Sequence, residues 1–231
     1  MHKLKNSLLF IQLNEINFDL VKEYLSSDNS IRYLPNIKFL MNNFNKIETY
    51  SEKEYENLEP WIQWPSVYLG QTFDQHKIFR LGDIIYHPKN KQIFEIIEDK
   101  GYKVGAISPM NAENRLKNPS YFIPDPWTDT YSDNSNFSKR LSAMFRQAVN
   151  NNASGNLSFS SILTIIETII RTFKYKNTSY LIKLIFSCLF SPWKKSLVLD
   201  YLIHMTKMYF FKKKLPNFSS VFFNAGAHIQ H

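Results

Sequence analysis

The sequence predicts an α/β fold: a mostly parallel sheet flanked by helices, with a helical insertion. Three apolar runs of strand length, Ser7–Leu13, Tyr102–Ser108 and Ser219–Phe223, stand far apart in the chain. Helical periodicity fills the intervals, and strand–helix alternation of this kind builds parallel sheets. The first run is apolar on nearly every residue, the mark of a strand covered on both faces.

The segment from Met1 to Ile11 superficially resembles a signal peptide, but its apolar part spans only Leu8 to Leu13 and is broken by Gln12. No small-residue cleavage site follows, so a strand is the better reading. The strand ends in Asn14-Glu15-Ile16-Asn17, polar residues just past a carboxyl end, where open α/β sheets bind ligands. A helical segment follows from Phe18 to about Leu25.

Glu59 to His76 is the most informative stretch, a Trp/Pro-rich turn followed by a short apolar segment, Gly70 and a polar loop ending in His76. Pro60 and Pro65 fix two φ angles and remove two donors, which argues against a regular element running through both. One reading is a rigid aromatic turn, walled by Trp61 and Trp64, that opens a helix and leaves backbone N–H groups to face an anion. The other is a buried turn with both tryptophans in the core.

Ile93 to Lys100 reads as a helix with Gly101 as its C-cap, leading into the second strand. Pro124 to Asp133 is a loop, in which Asp125 and Asp129 are expected to be exposed. Ser138 to Val149 is a short basic amphipathic helix, and Asn150 to Asn156 is a linker by composition. From Leu157 to Leu215 apolar residues recur at helical spacing. Ile162, Ile165, Ile166, Ile169 and Ile170 make one face; Leu181, Leu184, Ile185, Cys188 and Leu189 make another. Pro192 separates these from a third helix, Leu197 to Phe211. The boundaries are therefore 1–150 for the N-terminal part of the α/β domain, 151–216 for a helical insertion or cap, and 217–231 for a return strand and site loop.

A hydrophobic fraction of 44% is ample for a core, and a lone cysteine, Cys188, excludes an intrachain disulfide. With no targeting segment read, the expected location is cytoplasmic. Much of the net charge of +8 sits between Arg171 and Lys214, interleaved with Trp193, Tyr209, Phe210 and Phe211. That pattern fits a solvated basic face or peripheral contact, by residues 157–215, with an anionic membrane surface. No nucleic-acid motif accompanies it. Glu167, Arg171, Lys183 and Asp200 interrupt every stretch that approaches a membrane span. His87 reads as a surface loop residue and His204 as a core or interface histidine.

The order of three motifs resembles a known family. A strand ending in Asn14-Glu15, a Pro65-Ser66 turn with Gly70 and His76 downstream, and a strand ending in Asn224 with His228 four residues on are similar to the opening half of the alkaline phosphatase superfamily. The closest branch is that of the type I phosphodiesterases and nucleotide pyrophosphatases. The resemblance implies a first metal ligand at Asn14, a nucleophile at Gln63, and further metal ligands at Asn224 and His228, with His76 ordering the loop after the nucleophile helix. Three of these positions depart from the family pattern. An amide is a poor zinc ligand beside carboxylate and imidazole, and a Gln cannot be activated for covalent attack. Divalent metal, zinc in the family, is therefore expected to bind weakly or not at all, unless Glu15 and His231 supply ligands and Ser66 a hydroxyl. The family's remaining ligands lie beyond His231, so the resemblance also implies a missing C-terminal half of the domain.

The resemblance implies a phosphodiesterase- or sulfatase-like hydrolase acting on a phosphorylated or sulfated glycan, nucleotide or lipid-linked intermediate. The substitutions leave open a non-catalytic binding or scaffolding protein in surface-polysaccharide assembly. In either case Asn14, Gln63, Asn224 and His228 are expected to converge past the carboxyl ends of the strands, with Trp61 or Trp64 as a wall.

Overall fold

A computed structural model describes residues 7–26, 34–151, 156–213 and 215–230. In chain order its elements are β1 (Leu8–Leu13), α1 (Phe18–Ser26), α2 (Pro35–Asn43), α3 (Pro60–Leu69), α4 (Phe73–His76), α5 (Ile93–Asp99), β2 (Val104–Ile107), β3 (Tyr121–Ile123), α6 (Asn136–Asn150), α7 (Phe159–Thr172), α8 (Tyr175–Ser187), α9 (Lys195–Lys213), β4 (Phe218–Phe223) and α10 (Ala225–Gln230). The architecture is α/β. Part of the expected linker, residues 152–155, lies outside the described residues.

The four strands form an all-parallel sheet in the order β1-β4-β2-β3. β4 therefore enters last and sits between β1 and β2, with Phe218 opposite both Leu8 and Val104. Gly105 is required on β2, because a Cβ there would collide with the Tyr121 ring from β3. That ring lies across the sheet, and its hydroxyl donates to Ser219 Oγ at 3.0 Å.

Helices cover both faces. On one, Leu141 and Phe145 of α6, Leu181 of α8, and Leu202 and Phe210 of α9 pack against Ile107, Ile123 and Val221. On the other, Tyr68 of α3 and Phe94 of α5 pack against Val104, Ala106, Phe122 and Phe218. The helical region after residue 156 thus shares a core with the sheet rather than standing apart from it.

Three expectations need correction. β1 is not covered on both faces: Leu9, Ile11 and Leu13 are exposed, while Phe10 and Gln12 turn inward. The helical layer on that face rests on the other strands and stops short of this edge strand. Second, one helix, α3, runs through both Pro60 and Pro65. Pro60 occupies the first turn, where no donor is needed. Pro65 leaves the Trp61 carbonyl without its helical donor, and Asn111 Nδ2 takes that oxygen at 2.7 Å.

The third concerns α7, whose isoleucines do not form a buried face. Ser161, Thr164, Thr168 and Thr172 are buried instead, Ile165 and Ile169 are half-buried, and Ile162, Ile166 and Ile170 point outward. On α8, Leu181 and Leu184 are buried as expected, but Ile185, and Leu189 just past its end, are exposed. Periodicity locates an apolar stripe on a helix without saying whether protein covers it. Among the described residues no helix is long and apolar enough to cross a membrane.

Candidate functional site at the carboxyl ends of β1 and β4

Parallel pairing puts the ends of β1 and β4 side by side, so Asn14 and Asn224 are neighbours although 210 residues apart. Asn14 is buried and donates from Nδ2 to Asn224 Oδ1 at 2.8 Å. Its Oδ1 accepts from Trp64 Nε1 at 2.9 Å. Trp64 is held by an edge-to-face contact with Phe222 on β4, ring centroids 5.4 Å apart. One amide thereby ties two strands to α3. Glu15 follows with φ 51°, in the left-handed region that a glutamate rarely adopts.

β4 runs directly into α10, which carries His228 on its backbone; His231 lies outside the described residues. His228 is thus helical rather than in a strand-end loop. Two donors at the start of this short helix, Asn224 N–H and Ala225 N–H, are accepted by the Asp200 carboxylate of α9 at 3.1 and 2.7 Å. That contact stabilises a helix start, where backbone donors otherwise lack partners. Gly226 is needed where α10 passes β1, since a Cβ there would lie 2.7 Å from the Asn14 carbonyl oxygen.

Gln63 does not point into this amide pair. Its Nε2 donates to the Asn57 carbonyl and pins the 3₁₀ turn Tyr55–Asn57 to α3. Of the two tryptophans it is Trp64 whose indole bonds the Asn14 side chain, while the Trp61 backbone carbonyl accepts from Asn111.

Ser66 and His76 form a second, separate pair, with Ser66 Oγ 2.9 Å from His76 Nε2. Ile78 N–H donates to Nδ1 of the same ring at 2.9 Å. A neutral imidazole has one donor and one acceptor nitrogen. With Nδ1 accepting, the proton is on Nε2 and the ring donates to Ser66. The Ser66 hydroxyl in turn donates to the Ile62 carbonyl at 3.3 Å. A nucleophile–base pair needs the opposite tautomer, with an unprotonated nitrogen facing the hydroxyl. Burial pushes the His76 imidazole below its ordinary range, against a smaller upward pull from Glu52. The pair clips α4 to α3.

Asp125 is buried, against the expectation that it is exposed; Asp129 is exposed as expected. The Asp125 carboxylate accepts from the N–H groups of Asn111, Trp127 and Thr128 and from Thr128 Oγ1. Pro124 and Pro126 turn the loop inward around it instead of presenting it to water. Burial pushes its carboxyl above the ordinary range, outweighing the hydrogen bonds that pull it down. Asn111, at φ 51°, makes three side-chain bonds to two segments: the Trp61 and Arg80 carbonyls accept from Nδ2, and Gly82 N–H donates to Oδ1. Below the strand ends, Gln12 donates to Tyr68 Oη at 2.6 Å and accepts from Ser220 Oγ at 2.9 Å. Burial accordingly holds the Tyr68 phenol well above its ordinary pKa.

Sequence reasoning nominated Asn14, Trp64 and Asn224, and they meet. It missed Asp200, Asn111 and the burial of Asp125. Only Asn111 left a signal: a proline inside a helix frees a carbonyl that some side chain must take. Among the described residues there is no cluster of three or more His, Cys, Asp or Glu able to hold a metal ion. No protein-family model matches the chain, nor does any curated protein or solved structure.

Proposed function

We propose that this chain is a non-catalytic binding or scaffolding protein, alkaline-phosphatase-like in the order of its motifs. Its ligand would be a phosphorylated or sulfated glycan, a nucleotide or a lipid-linked intermediate of surface-polysaccharide assembly. The observation that carries this reading is the Asn14 amide, whose oxygen and nitrogen are both engaged within the protein, by Trp64 and Asn224. A metal ligand at that position would need a free, preferably anionic, oxygen. Gln63, engaged with Asn57, and Ser66, facing a protonated Nε2, support it further.

A metal-dependent hydrolase is the second reading, and one contact favours it. The close packing of Gly226 on the Asn14 carbonyl brings the backbones that carry Glu15 and His228 together, two of the residues that a remodelled zinc site, completed by His231, would use. The two readings separate on turnover. The protein is incubated with bis-(p-nitrophenyl) phosphate and p-nitrophenyl sulfate, with zinc or manganese. No release above the metal blank is the expected result. Metal-dependent release that disappears in Glu15→Gln would establish the hydrolase.

A further inference from the structure

α7 is built inside out for a helix facing water. Its fully buried positions are Ser161, Thr164, Thr168 and Thr172, flanked by half-buried Ile165 and Ile169, and the threonine hydroxyls bond back to carbonyls one turn earlier at 2.6–2.9 Å. Its opposite side carries Phe159, 76% exposed, and Ile170, 69% exposed, with Ile162, Leu163 and Ile166 between them. α8 continues the pattern through Phe186 and the turn after it, where Phe190 is 89% exposed. Beside these faces an apolar groove of about 360 Å³ runs between α6, through Met144 and Ala148, and α9, through Leu199 and Leu202, with Ile165 of α7 and Ile185 of α8 at its margin. Exposed aliphatic and aromatic side chains in such number mark a surface that is covered in use.

Charge selects what covers it. Residues 157–215 carry ten Lys and Arg against two acids, Glu167 and Asp200. Both acids are engaged: Glu167 bridges Arg140 and Arg171, and Asp200 accepts from Asn224 and Ala225. Lys174 lies between α7 and α8, Lys183 on α8, and Lys194 and Lys195 follow Trp193, with Lys194 Nζ 5.5 Å from the Trp193 ring. An exposed tryptophan among lysines at the border of an apolar face is the composition of a membrane–water interface. A second copy of the same face would bring two strongly positive surfaces together. At 14 and 13 residues the helices are about 20 Å long, too short to span a hydrocarbon core of about 30 Å.

We propose that the outer faces of α7 and α8 seat this protein on an anionic lipid surface, its aliphatic side chains in the acyl boundary and its lysines among the headgroups. This inference does not depend on the reading of the strand-end site.

The test is co-sedimentation of the full chain with vesicles of phosphatidylcholine alone or mixed with phosphatidylglycerol. Partitioning at least about tenfold stronger onto the anionic vesicles, weakened by salt, is expected. The double variant Ile166→Asp, Ile170→Asp changes only outward positions, so it should fold by circular dichroism yet lose about tenfold or more of this binding. Trp193 fluorescence should shift to the blue on anionic vesicles and be quenched by brominated acyl chains, a signal absent in Trp193→Phe. Failure to bind either vesicle, or equal binding to both that the double variant leaves intact, overturns the proposal. So does a wild-type dimer in sedimentation velocity that the double variant dissociates, which would assign the face to a second copy.

Discussion

Asn111 Nδ2 lies 2.7 Å from the Trp61 carbonyl oxygen, the oxygen that Pro65 leaves without a helical partner. A helix that contains an interior proline is thereby completed by a side chain 50 residues away. Asn111→Gly should cost about 2–3 kcal/mol in urea unfolding, since it deletes three bonds while keeping the left-handed backbone available. In a Pro65→Ala background, residue 65 can again donate to Trp61, and the cost of Asn111→Gly should fall by about 1 kcal/mol. Strict additivity of the two substitutions would show that the proline and the asparagine are unconnected.

Asp125 makes the same kind of argument for the loop after β3. All four of its partners are donors, so Asp125→Asn would turn an amide NH₂ against at least one of them. The expected loss is about 1–3 kcal/mol. Asp129→Asn, four residues on, removes only an exposed ion pair with Arg146 and should cost about 0–1 kcal/mol. Thermal unfolding of the two variants side by side checks this; equal costs would mean that the Asp125 carboxylate is not the organiser of the loop.

His76 sets a pH dependence whose sign follows from its environment. Its folded pKa lies below the ordinary 6.5, because burial disfavours the imidazolium. Protonating Nδ1 would also set it against the Ile78 N–H that it accepts. The unfolded chain therefore takes up a proton at pH values where the folded chain does not. This contribution to stability is complete above pH 6.5 and is lost as pH falls from there through the folded value. His76→Gln should flatten that part of the stability profile. Long-range proton–nitrogen NMR should show the Nε2–H tautomer in the folded protein, and an Nδ1–H signal would reverse the assignment of Ser66 as an acceptor.

Strand runs were legible because four to six apolar residues between polar turns leave few alternatives. β3 was not, since three residues carry no period. The meeting of Asn14 and Asn224 was legible from strand ends alone, once parallel pairing was inferred. Asp200 was not, because nothing local marks a helix residue whose carboxylate binds the start of another helix. Asp125 misled because a proline-flanked aspartate is usually at a loop tip, and only the fold shows the loop turned inward. The inversion of α7 was hidden for a general reason: Ser and Thr can satisfy their hydroxyls on their own helix, so a polar stripe can be buried without leaving unpaired groups.

The family resemblance is open to a direct chemical test at Asn14 and Asn224. Aspartates at both positions would set two carboxylates within hydrogen-bonding distance in a partly buried site. Like charges that close destabilise the apo protein, and one carboxylate pKa should rise. If the site descends from a two-metal centre, the double variant Asn14→Asp, Asn224→Asp should recover stability when zinc is added, whereas wild type gains nothing. The readout is the shift in melting temperature across a zinc titration, with zinc content measured after dialysis. His228→Ala in the same background separates a metal site from bare charge screening, because the imidazole belongs to the first and not to the second. A double variant whose stability ignores zinc, or gains equally from magnesium and from salt, would leave the resemblance without chemical content.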